Sequence, residues 1–217
     1  AHTQYLGWGT MFFDFDNDGW PDLLLVNGHV YPEVDALNLG IEYNEPKLLY
    51  HNSGNGTFTD VSKLAGSAFN TRSAARGLAV GDLWNDGRLS AVVVNRNGPP
   101  SLLANQKKYA NHWIEVKAVG TRSNRSGLGA RVSVKTDLRQ QIDEVRSGSS
   151  YISNSDVRVH FGLGATKVIQ YVDMRWPSGL VERFRNPNVD SIVVVKEGTG
   201  EEISAPRWPT GGEDKLR

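Results

Sequence analysis

The residues best suited to chemistry in this chain crowd into one nine-residue stretch, Asp14-Phe15-Asp16-Asn17-Asp18-Gly19-Trp20-Pro21-Asp22. Carboxylates stand at loop positions 1, 3, 5 and 9 and glycine at 6. That spacing lets a loop wrap a hard cation in about six to eight oxygens. Four carboxylates held so close repel one another, and a divalent ion removes that cost. Gly19 permits the sharp turn, and the carbonyl of Trp20, at position 7, would supply a backbone ligand. Ca2+ is the expected occupant, because Mg2+ demands strict octahedral geometry and usually keeps several waters. An EF-hand does not fit. Its position 12 would be Leu25 where a bidentate Glu is needed, and Leu23 to Val26 is an apolar run of β type. The competing explanation is an acidic hairpin turn without metal, since Asp, Asn and Gly are ordinary turn residues. Four correctly phased acids exceed what such a turn requires.

A second copy follows 68 residues later, counted from Asp14 to Asp82. Gly77-Leu78-Ala79-Val80-Gly81-Asp82-Leu83-Trp84-Asn85-Asp86-Gly87-Arg88-Leu89-Ser90-Ala91-Val92-Val93-Val94-Asn95 has the same order as Gly9 to Asn27: strand, acidic glycine turn, strand, Asn. Asp82 and Asp86 keep positions 1 and 5, so both are candidate ligands. Trp84 at position 3 and Ser90 at position 9 weaken the set, and the ligand count favours a metal-free turn here.

These loops need strands on either side, and composition agrees. The chain has 217 residues, 39% hydrophobic, with 23 Gly and 9 Pro, enough apolar content for a core and many tight turns. Lys plus Arg equals Asp plus Glu at 24 each, giving no global electrostatic case for a nucleic-acid or membrane-surface partner. No apolar run approaches the roughly 20 residues of a membrane-spanning helix. With no Cys there is no disulfide, no thiolate nucleophile and no Cys-type zinc site. The balance hides an asymmetry: residues 1–106 carry 11 acids and 6 bases, and residues 107–217 carry 13 acids and 18 bases. We therefore expect a repeat-bearing unit over 1–106, a second β unit over 107–198 and a loosely held tail over 199–217. Period-two alternation in His112–Lys117, Arg131–Lys135, Val157–Phe161 and Tyr171–Trp176, with a closing strand at Asp190–Val195, supports the second unit. The polar segment His29–Lys47 reads as a long loop, and short strands flank the turn Asn52–Gly56. The start, Ala1-His2-Thr3, suggests a processed or excised piece of a longer protein.

The paired acidic loops resemble FG-GAP/VCBS-type repeats, the calcium-binding blades of integrin-like β-propellers. Asn111-His112-Trp113, Val119–Arg125 with Gly127–Arg131, Glu144–Tyr151, Val159–Gly164 and Arg175–Gly179 together resemble the ASPIC/UnbV domain, which follows such repeats in family members. The resemblance implies an all-β protein, with two partial-propeller repeats followed by a sandwich- or barrel-like β domain. It implies Ca2+ held by Asp14, Asp16, Asp18, the Trp20 carbonyl and Asp22. It further implies a secreted, periplasmic or cell-surface location and a binding or adhesion role toward a protein or glycan. It supplies no catalytic residues.

The residues themselves offer little to an enzyme. His2, His29, His51, His112 and His160 are dispersed, without H-E-x-x-H. His160 reads as a packed strand residue and His29 as part of a loop. Ser147–Ser150 lacks the G-x-S-x-G elbow of a nucleophile, and Arg122, Arg125, Arg131 and Arg146 read as a solvated face, with an acidic partner left open. The alternative function is a calcium-dependent hydrolase or lyase acting on polysaccharide, for which Glu33, Asp35, Glu42 and Glu45 are the clustered acids.

Overall fold

The structure, a computed structural model, describes residues 5–37 and 39–204. The protein is almost wholly β and forms two compact units, one of residues 1–109 with 147–156 and the other of residues 110–146 with 157–217.

The first unit contains two blade-like antiparallel sheets. In one, β1 (Gly7–Phe13), β2 (Asp22–Asn27), β3 (Lys47–Asn52) and β4 (Phe58–Asp60) form a meander in chain order. In the other, β5 (Ala75–Gly81), β6 (Ser90–Asn95) and β7 (Ser101–Leu103) do the same. Leu24, Val26 and Leu49 from the first sheet share one core with Leu78, Val80, Ala91 and Val93 from the second. The sheets approach closely at Gly9, where a Cβ would lie 2.6 Å from the Leu78 Cβ, so any side chain there would push the blades apart. The long loop after β2 holds a single 3-10 turn, Pro32–Ala36.

In the second unit, β8 (His112–Val119), β9 (Arg131–Thr136), β10 (Gln140–Glu144), β11 (Val159–Gly164), β12 (Ile169–Arg175), β13 (Val181–Arg185), β14 (Ser191–Lys196) and β15 (Glu201–Glu202) form two sheets. Their orders are β10-β9-β12-β13-β15 and β11-β8-β14, and β14 runs parallel to β8. Ile114, Val116, Val132, Val134, Phe161, Val172, Met174 and Trp176 fill the core that these strands enclose. This is the sandwich-like arrangement expected for an open β fold with no closed barrel.

Two expected boundaries differ from this structure. Ser147–Asp156 was assigned by composition to the second unit, yet it packs with the first. There the Ser153 hydroxyl accepts from Leu78 N at 3.0 Å, the Ser155 hydroxyl accepts from Val80 N at 3.0 Å, and Asp156 N donates to Val80 O. The segment thus satisfies the outer edge of β5, which would otherwise stand open. The expected tail from 199 begins as ordered chain, because Gly200 N donates to Glu182 and β15 pairs with β13. Residues 205–217 lie outside the described residues.

Candidate metal centre

The acidic loop joins β1 to β2 and is shaped by its own side chains. Asp14 Oδ2 accepts from Gly19 N at 2.7 Å, Asp16 Oδ1 from Asp18 N at 3.3 Å, and Asp18 Oδ1 from Trp20 N at 2.7 Å. Asn17 and Gly19 take left-handed backbone conformations, φ 61 and 85, which asparagine and glycine tolerate best. Asp22 opens β2 with no exposed surface and accepts from Phe15 N and from Asn52 N on β3. Its two oxygens thereby tie the loop to the third strand.

The structure brings ligand atoms of Asp14, Asp16 and Asp22 within 4.8 Å of one another. Asp14 is 7% exposed, and its Oδ1 is buried with no hydrogen-bond partner among the described residues. A buried, unsatisfied carboxylate oxygen costs about 1–3 kcal/mol or more, and it belongs to a residue grouped with two further carboxylates, an arrangement that a cation would satisfy. Burial, with Asp18, Asp16 and Asp22 adding repulsion against the Gly19 N–H, pushes the Asp14 carboxyl up to about 8. Burial likewise raises Asp22 to about 7, against the N–H groups of Asn52 and Phe15. Tyr109, close by, is raised to about 12 by burial and then by Asp16, Asp22 and Asp14. In all three, burial is the main cause and the neighbouring acids add to it. The donor set, all hard oxygen, fits Ca2+.

His51 was missed as a participant. It sits on β3, and its Nε2 lies 3.3 Å from Asp16 Oδ2 and 3.6 Å from Asp18 Oδ2. Its place follows from the register, because Tyr50 pairs with Leu23 and the next residue therefore falls beside Asp22.

The second loop repeats the backbone without the charge. Asp82 Oδ2 accepts from Gly87 N at 2.6 Å, as Asp14 does from Gly19, and Asn85 and Gly87 share the left-handed φ of Asn17 and Gly19. Among the described residues, however, Asp82 and Asp86 join no group of three possible ligands. Asp86 is held below the usual carboxylate range chiefly by its hydrogen bond with Arg88. Ser90, at position 9, accepts from Asn105 N at 3.1 Å, so it keeps the strand-tying role of Asp22 without its charge. The loops also touch, through Asn17 Nδ2 donating to Gly87 O.

The other candidates resolve into structural roles. Asp35 accepts from Tyr43 N, Glu42 pairs with Arg72, and the buried Glu45 accepts from Leu6 N. His29 folds back on Tyr31 within its loop, and the His160 side chain is buried and stacked on Trp113. No helix among the described residues is long and apolar enough to cross a membrane.

Fold and site together define a class of protein: β repeats turned by acidic glycine loops, followed by a β sandwich. The family models agree, with an FG-GAP-like repeat matching residues 14–93 and the ASPIC and UnbV family matching residues 120–202. Among characterised proteins, the chain is similar to cartilage acidic protein 1 of Mus musculus, 29% identical over 157 residues covering 72% of this chain. The Homo sapiens protein of the same name is 28% identical over 157 residues. The chain spans only 22% of the length of either relative.

Proposed function

We propose that this chain is a calcium-stabilised binding or adhesion module of a secreted or surface-exposed protein. Asp14, Asp16, Asp18, the Trp20 carbonyl and Asp22 would hold Ca2+, whose charge offsets the repulsion among the four carboxylates and fixes the β1–β2 turn against β3. The single observation that carries this reading is the buried, unpartnered Oδ1 of Asp14, a residue with a ligand atom within 4.8 Å of those of Asp16 and Asp22. The partner would be a protein or glycan, in keeping with the FG-GAP-like repeat. The test is calcium titration followed by melting temperature. A site at hundredfold excess over its Kd adds about 2.7 kcal/mol of stability, and Asp16→Ala should abolish the gain. Equal melting in calcium and in EDTA would overturn the proposal.

A further inference from the structure

The acidic loop offers two groups of ligands, and they differ in kind. Asp14, Asp16 and Asp22 form an all-oxygen group, whereas Asp16, Asp18 and His51 form a mixed one, each with its ligand atoms within 4.8 Å. Asp16 is common to both and has two oxygens. We infer that the loop holds a second cation site, in which Asp16, Asp18 and the His51 imidazole take a borderline first-row ion such as Mn2+ or Zn2+, with Asp16 bridging it to the calcium position.

Geometry distinguishes this arrangement from an ordinary histidine–aspartate pair. At His112, Nδ1 closes on a single oxygen, Asp190 Oδ2, at 2.7 Å. His51 Nε2 instead stands between two oxygens from different residues, at 3.3 and 3.6 Å. Donors held about 2.1 Å from one ion at tetrahedral or octahedral angles lie about 3.0–3.4 Å apart, close to these spacings. The imidazole is presented by a strand rather than by the loop: His51 is paired with Thr59 across β3 and β4, and its ring packs edge-on against Phe15. A rigid nitrogen donor facing two loop carboxylates is the donor set that Mn2+, Fe2+ and Zn2+ accept and that Ca2+ makes little use of. In the all-oxygen group beside it, the Asp14 Oδ1 is buried and unpartnered, an acceptor left unsatisfied by the described residues. Asp16 and His51 also line a cavity of about 680 Å3, from which water can complete the coordination.

This inference rests on the calcium reading for the shared roles of Asp16 and Asp18, which would each serve both ions, and the experiment separates the two. The full chain is saturated with Ca2+ and titrated with Mn2+, free Mn2+ being counted by its EPR signal, and bound Mn2+ is examined by pulsed EPR for modulation from an imidazole nitrogen. One equivalent of Mn2+ should bind on top of calcium and show the nitrogen. In His51→Gln the modulation should vanish and Mn2+ affinity should fall at least tenfold, with calcium affinity changed less than twofold. Mn2+ that binds only by displacing Ca2+, or binds without nitrogen modulation, would overturn the second site. Mn2+ binding with the nitrogen signal in a protein that shows no affinity for Ca2+ would support the mixed-donor site and sink the calcium reading instead.

Discussion

The guanidinium of Arg88 donates through Nε to Asp86 Oδ2 at 3.0 Å, filling the second loop with a cation drawn from its own chain. The equivalent position of the first loop, 7, is Trp20, which brings no charge. One repeat thus pairs an acid with a side-chain cation of its own loop, and the other has no cationic residue at that position. Arg88→Met should therefore lower stability by no more than about 1 kcal/mol, as for other partly exposed ion pairs, and by the same amount in calcium and in EDTA. Thermal melts of the variant in both conditions check this.

Asp22 and Asp18 should fail differently. Asp22 is fully buried and satisfies two backbone N–H groups, so Asp22→Ala should cost about 3 kcal/mol even in EDTA. Asp18 is partly exposed and accepts from Trp20 N at the loop surface, where His51 also approaches it. Asp18→Ala should cost little in EDTA and remove most of the calcium-dependent gain. Urea unfolding with and without calcium separates the two.

The same carboxylates set a pH dependence. Unfolded aspartates lose their protons near pH 4, whereas folded Asp14 keeps its proton to about 8 and Asp22 to about 7. Between those limits the folded state binds more protons than the unfolded one, so metal-free stability should fall as pH rises from about 4 to 8. Calcium removes the repulsion and should flatten the slope. A melting-temperature series across that range, in EDTA and in calcium, measures it.

A second buried acid works the opposite way. Glu197 accepts from the N–H groups of Thr121, Arg122 and Ser123 and from the Ser123 and Ser178 hydroxyls, binding the loop after β8 to the end of β14. Burial raises this carboxyl, but the Ser123 N–H, the Ser178 hydroxyl and the Thr121 and Arg122 N–H groups outweigh it and hold it at about 2. Its contribution is full above the unfolded value near 4.5 and is lost as pH falls toward 2. Glu197→Gln should cost about 2–4 kcal/mol at neutral pH, and the wild type should lose that advantage in acid. Acid unfolding of both proteins tests this.

Much of this was legible in the residues, because a repeat writes its acidic glycine loop twice at the same place between strands. The all-β character and most of the strands of the second unit could be read from alternation. What escaped has physical causes. β10, Gln140–Glu144, is polar and only partly buried, so it lacks the apolar alternation that betrays a strand. β15 is two residues long. Ser90 looked like a damaged ligand, and only the Asn105 N–H reveals that position 9 has a second task in both repeats. His51 stands 29 residues beyond Asp22, and its approach depends on a β2–β3 register that spans an irregular loop. The packing of Ser147–Asp156 on the first unit was not legible, since hydroxyls that cover a distant strand edge leave no periodic trace.

The most direct test of the central claim is a crystal grown in calcium and measured for anomalous scattering. The account predicts a peak about 2.3–2.6 Å from Asp14 Oδ1, with oxygens of Asp16, Asp18 and Asp22 and the Trp20 carbonyl completing its shell. Saturating calcium with no peak there, and Asp14 Oδ1 instead protonated and bonded to a neighbouring carboxylate, would contradict it.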